Sequence, residues 1–199
     1  MASLEYKEQT IKWQNPDATT SQTNWTDGDT IRAAIGQSVN NYTPVIMNKY
    51  IATLANGGTR YKFSVVDKVE TSSGEIIEQS EPVVEQSINI SQENLDAVYE
   101  GMRLVTQGTR GTLRTYFNDF PINVAAKSGT AQENLLRSSH TWFVGFAPYE
   151  NPQISVTVMI PFGEYSPTPS AIVGRNIIAE YMGLNYTPEN SYMDVELAD

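Results

Sequence analysis

The sequence predicts an α+β fold in which helices flank an antiparallel sheet. Three observations carry that prediction. Two well-capped helical patterns in the first half enclose a weakly alternating hairpin. Three short apolar runs then follow one another, the last two split only by Pro148-Tyr149-Glu150-Asn151-Pro152. A final helical pattern closes the chain, and helices laid over an antiparallel sheet are a stable layered solution.

In order, residues 1–29 read as irregular, because Gln14-Asn15-Pro16-Asp17 and the Thr/Ser/Asn-rich run at 19–24 are turn chemistry. Little apolar periodicity precedes Ile31. Thr43 is a good N-cap and Pro44 suits a first helical position. The helix they open places Val45, Ile46, Tyr50, Ile51 and Leu54 at helical spacing and stops at Asn56-Gly57-Gly58. Residues 61–71 and 75–79 form an exposed hairpin around Ser72-Ser73-Gly74, and residues 78–86 read as a solvated connector. Ser91 caps a second helix with Leu95, Val98, Met102 and Val105 as its apolar stripe. Gly108-Thr109-Arg110-Gly111-Thr112 follows a helix and lacks the lysine and spacing of a phosphate loop, so it reads as a turn. Residues 123–132, 141–147 and 154–160 are strands. A helix from Ser170 through Tyr181 turns Ile172, Ile177, Ile178 and Met182 inward and ends at Gly183. Residues 30–184 are thus the folded body, and residues 185–199 an acidic, frayed tail.

Composition removes several functions. The 199 residues suffice for one domain with a substantial core. A net charge of −10 argues against nucleic acid. No apolar run approaches the roughly 20 residues of a membrane span, so the chain reads as soluble. Cysteine is absent and His140 is the sole histidine, so neither a metal nor a cofactor is expected. His140 reads as a surface or loop residue instead of a base, and Trp142 and Phe143 as sheet-face residues, with Trp142 able to border a cleft. Glu164-Tyr165-Ser166 reads as solvated loop.

The chemistry concentrates in Lys127-Ser128-Gly129-Thr130. Side chains alternate along a strand, so Lys127 and Gly129 share one face, and Ser128 and Thr130 the other. A cation, two hydroxyls and bare backbone suit a carboxylate or a developing oxyanion. Taken alone, the tetrad reads as an ordinary strand end with a polar turn.

The flanking residues decide between these readings. Gly36-Gln37, Asn41-Tyr42-Thr43-Pro44, the run from Ile51 through Gly58, Gly108-Thr109, Lys127-Ser128-Gly129-Thr130-Ala131 and Trp142-Phe143-Val144-Gly145-Phe146-Ala147-Pro148 together resemble a class B penicillin-binding protein. The likeness covers roughly residues 25–184 in order and spacing. Lys127-Ser128-Gly129 matches the third of the family's motifs, S-x-x-K, S-x-N and K-T-G. The resemblance implies the penicillin-binding, serine β-lactamase-like fold and a D,D-transpeptidase that crosslinks peptidoglycan stem peptides through a serine acyl-enzyme. It implies Lys127 as the catalytic cation, with Ser128, Gly129 and Thr130 holding the substrate; β-lactams trap the same serine. Thr130 N–H would be one of two oxyanion donors. The parent would be membrane-anchored and work at the extracytoplasmic face of the bacterial plasma membrane.

One departure is large. No serine is followed by lysine at the third position, and Ser38-Val39-Asn40 fits S-x-N by letters only. The chain therefore reads as the C-terminal half of the transpeptidase domain, without nucleophile or base, and inactive by itself. The family's earlier strands would be missing too, which leaves the 123–132 strand as an open edge with an uncovered apolar face and invites dimerisation or strand exchange. The competing expectation is a non-catalytic binding or scaffolding module that uses that edge.

Overall fold

The computed structural model describes residues 4–37, 40, 42–132, 137–163 and 168–185. Glu164-Tyr165-Ser166, Ser38-Val39 and nearly all of the acidic tail lie outside the described residues.

Most of residues 4–29 is helical, which corrects the irregular reading of that stretch, although Pro16-Asp17 forms a turn as expected. Leu4–Gln14 forms α1, Thr20–Thr23 the single turn α2, and Asp27–Ala34 α3. The stabilising interaction is polar, so hydrophobic periodicity does not register it. Lys7 Nζ lies 2.7 Å from Asp29 Oδ2, with side chains only 9% and 3% exposed. Asp29 also completes a capping box, its carboxylate taking Thr26 N–H at 2.8 Å while Thr26 Oγ1 accepts Asp29 N–H at 3.2 Å. One carboxylate thus starts α3 and ties α1 to it.

Helix α4, Pro44–Ala55, begins as the sequence predicts, with Thr43 accepting from Ile46 N–H and proline at the start. Gly57 and Gly58 end it at φ 80° and 106°. Its buried face carries Ile51, Thr53 and Leu54, whereas Val45, Ile46 and Tyr50 point outward. Helical spacing defines a stripe without saying which stripe meets the sheet.

Strands β1 (Thr59–Tyr61), β2 (Lys68–Glu70), β3 (Ile76–Gln79) and β4 (Val84–Ser87) pair as two antiparallel ribbons, β1 with β4 and β2 with β3. The hairpin turns where expected, with Gly74 at φ 87°. β4 replaces the predicted connector; a mostly polar strand exposed at every position carries no burial signal to read. Helix α5, Gln92–Gln107, is capped by Ser91 as predicted, and Val98 turns out of its stripe. The one-turn helix α6, Arg114–Phe117, buries Phe117.

Strands β5 (Ala125–Ala131), β6 (His140–Ala147) and β7 (Ile154–Ile160) form an antiparallel sheet in that order. Helix α7, Thr168–Tyr181, completes the fold. The register sets Lys127 opposite Val144, Ser128 opposite Phe143 and Gly129 opposite Trp142. Both faces are covered, which corrects the expected bare apolar face. On one, Ala126, Phe143 and Val156 meet Phe117 of α6 and Ala171 and Ile178 of α7. On the other, Ala125, Val144 and Phe146 meet Ile51 and Leu54 of α4 and Leu95 and Met102 of α5. Helix α7 sits so close that a Cβ on Gly174 would stand 2.3 Å from the Phe143 ring. Ile177 faces outward while Ile178 is fully buried, against the predicted inward pair. Among the described residues, no helix is long and apolar enough to cross a membrane.

Candidate active site

Strand β5 begins inside the core and ends outside it. Ala125 and Ala126 are completely buried, Lys127 and Thr130 are exposed, and Ser128 and Gly129 are half-buried. The apolar half anchors the strand between helices, and the polar half is carried out rigidly as a continuation of it. Among the described residues, β5 has a strand on one side only.

Backbone groups of alternate residues in an antiparallel edge strand face away from the partner strand. Side chains meet three carbonyls of alternate residues here. Thr106 Oγ1 donates to Val124 O at 2.5 Å, Lys127 Nζ to Ser128 O at 2.6 Å, and Gln37 Nε2 to Thr130 O at 3.3 Å.

Two hollows meet at Lys127. The larger, about 670 Å³, runs over Lys127 to Ala131, Trp142 and Val144, and is walled by Gly36, Gln37, Asn40 and Tyr42. The smaller, about 390 Å³, lies between Lys127 and the loop carrying Thr109, Arg110 and Thr112. Two cations therefore line one hollow on a chain of net charge −10, a local inversion that attracts an anion. Ser128 Oγ lies 3.4 Å from Thr112 Oγ1. Trp142 borders the larger cleft, and a Cβ on Gly129 would stand 3.3 Å from the Trp142 Cβ.

The arrangement suits binding better than bond-breaking. Lys127 and Ser128 are neighbours in sequence, yet the ammonium bonds the Ser128 carbonyl and the hydroxyl turns to Thr112. The pair is not a nucleophile with its base. His140 Nδ1 accepts Phe162 N–H at 3.2 Å beside the Phe162 ring. Among the described residues, no group of three or more His, Asp or Glu could hold a metal. Gln37, Asn40 and Tyr42 belong to the cleft although the sequence does not mark them as site residues; Gln37 and Tyr42 stand in the segments that carry the resemblance, whereas Asn40 enters only through Ser38-Val39-Asn40, which fits S-x-N by letters only.

The family model described as "Penicillin binding protein transpeptidase domain" matches residues 2–179. The chain belongs to the class B penicillin-binding protein transpeptidases. Penicillin-binding protein 2B of Streptococcus pneumoniae strain R6 is 31% identical over 141 residues, 66% of this chain and 21% of that protein. Peptidoglycan D,D-transpeptidase MrdA of Haemophilus influenzae is 30% identical over 174 residues, 79% of this chain and 26% of its own length. The chain spans about a quarter of the length of these transpeptidase relatives. The solved penicillin-binding protein 2B of S. pneumoniae R6 superposes with a TM-score of 0.71 at 29% identity, over 85% of this chain and 29% of that one. Pseudomonas aeruginosa PBP2, solved with WCK 5153, gives 0.65 at 32% identity, over 85% and 35%. The α+β transpeptidase fold expected from the sequence is the fold observed. The family match extends through α1, α2 and α3, so these helices lie within the matched region.

Proposed function

We propose that β5 is the substrate-gripping wall of a penicillin-binding D,D-transpeptidase, with Lys127 as its cation and Ser128, Gly129 and Thr130 holding the terminal carboxylate of a peptidoglycan stem peptide. The observation that carries this reading is Lys127 at the junction of two hollows, on a rigid strand whose outer edge is open among the described residues. Support comes from relatives named peptidoglycan D,D-transpeptidase. In the reaction, a serine oxygen attacks the carbonyl of the penultimate D-alanine, the terminal D-alanine leaves as its amine, and a second stem peptide's amine takes the acyl group. β-Lactams occupy the same wall. Thr130 N–H supplies one oxyanion donor, a contact whose loss costs about 3 kcal/mol of barrier. No serine of the sequence stands three residues before a lysine, so the serine and its base belong to a longer gene product, anchored at the extracytoplasmic face of the plasma membrane.

Fluorescent penicillin tests the reading. The longer product should label covalently, its Lys127→Ala variant roughly 10- to 100-fold more slowly for loss of a charge-assisted contact, and the 199-residue chain not at all. An adduct on the isolated chain would refute the division of labour. A second reading, a non-catalytic module that takes up a partner strand or exchanges strands as a dimer, is favoured by the open margins of β5 and β7 among the described residues. Failure of the longer product to label would select it.

A further inference from the structure

We propose that Gln37 is a latch on the open edge of β5, holding the Thr130 carbonyl until a ligand's backbone N–H displaces it. The inference rests on the reading of β5 as the peptide-gripping wall. An extended peptide that adds to a sheet edge needs the outward carbonyls as acceptors. In this protein the Thr130 carbonyl, at the exposed end of that edge, is taken by the Gln37 carboxamide at 3.3 Å. Both groups line the larger cleft.

The latch is held from behind. Helix α3 ends with Ile35 at its C-cap, and Gly36 adopts φ 81°, in the left-handed region that favours glycine. Gly36 N–H donates to Ala33 O at 3.0 Å and Gln37 N–H to Arg32 O at 2.9 Å. These are the two bonds of a Schellman ending. Asn40 Nδ2 then donates to Ala33 O at 3.2 Å and to Gln37 O at 3.0 Å. The Gln37 backbone is therefore fixed by helix α3 on one side and by Asn40 on the other, while its half-buried side chain spans the cleft. The outward carbonyls nearer the core differ in kind. Val124 O is satisfied by the fully buried Thr106, and Ser128 O by Lys127 from within β5. Only the Thr130 contact, among these three, comes from an element on the far wall of the cleft, and a ligand entering there meets it directly.

The consequence is a competition. Binding exchanges one neutral hydrogen bond for another, so the latch lowers apparent affinity by about the worth of one such bond, about fivefold. It also selects for ligands that bring an N–H to the Thr130 position.

The test uses the 199-residue chain, an N-acyl-D-alanyl-D-alanine peptide, and a twin methylated at the backbone nitrogens, titrated by NMR. Gln37→Ala and the isosteric Gln37→Met should each bind the peptide about fivefold more tightly than the wild type, with no gain for the methylated twin. Gly36→Ala, which strains the positive φ and displaces Gln37, should move affinity the same way. In the free wild type, the Gln37 carboxamide protons should resonate away from free-glutamine positions and return toward them as peptide binds. Equal or weaker binding by both Gln37 variants, with Lys127→Ala still weakening it, overturns the latch and leaves the wall reading standing. Binding that ignores Lys127→Ala overturns the wall reading, and the latch is then judged by the carboxamide shifts. No binding to any variant overturns both.

Discussion

The three-stranded sheet, with strands of seven to eight residues, and the two ribbons of residues 59–87, with strands of three to four, end in opposite circumstances. Every residue of β2, β3 and β4 is exposed, Ile77 at 67% and Val84 at 53%. Phe143 and Phe146 of β6 are fully buried. The β1–β4 ribbon is held by Glu85, which pairs with Lys49 of α4 and Arg60 of β1, whereas the Lys68–Glu70 pair lies within β2 alone. Exposed pairs of this kind contribute little. The sheet is clamped by helices on both faces. A strand gains rigidity from what lies above and below it, and only a clamped strand can hold a lysine at a fixed place over a cleft. That is why the candidate site lies on β5 and not on the ribbons.

The comparison can be broken at several points. The largest expected effect is Phe143→Ala, which empties the space between Phe117 and Gly174 and should cost about 3–5 kcal/mol in denaturant unfolding. A loss below 1 kcal/mol would mean the clamp is not where stability resides. Next is Gly174→Val. Its new Cβ meets the Phe143 ring at 2.3 Å, so overpacking of about 1–3 kcal/mol is expected, together with shifts in the Lys127 and Ser128 amide resonances as β6 yields.

Acid should act most strongly where α1 meets α3. The Lys7 ammonium bonded to Asp29, then the Thr26 hydroxyl and N–H, hold the Asp29 carboxyl well below the usual carboxylate range. Folding thus favours the charged form, and its stabilisation is present above the ordinary carboxylate pKa of about 3.9 and fades as pH falls below it. Thermal unfolding from pH 7 to pH 2 should show the wild type losing this contribution and Asp29→Asn lacking it throughout; parallel curves would refute the coupling. The smallest effect is Ile77→Ala, expected within about 0.5 kcal/mol of the wild type because the side chain already faces water.

Much of this was legible in the sequence where local chemistry decides. Thr43-Pro44 and Ser91 started their helices, Ser72-Ser73-Gly74 turned its hairpin, and the limits of β7 fell where the apolar run did. What escaped depends on distant partners. α1 is fastened by Lys7 to a carboxylate 22 residues away. β4 exists because β1 lies beside it, and α6 because Phe117 finds Phe143. The site divides in the same way. The tetrad from Lys127 to Thr130 could be read as a local pattern, whereas Gln37 reaches Thr130 across 93 residues, a proximity that neither segment encodes alone.

Strand β7 has a consequence for handling the protein. Ile154-Ser155-Val156-Thr157-Val158-Met159-Ile160 contains no charge and no proline, the usual devices that keep such a margin from recruiting other molecules. The net charge of −10 opposes such contacts through long-range repulsion between copies. Dilute buffer should therefore keep it dispersed, and molar salt, with a screening length of about 3 Å, should drive it to assemble.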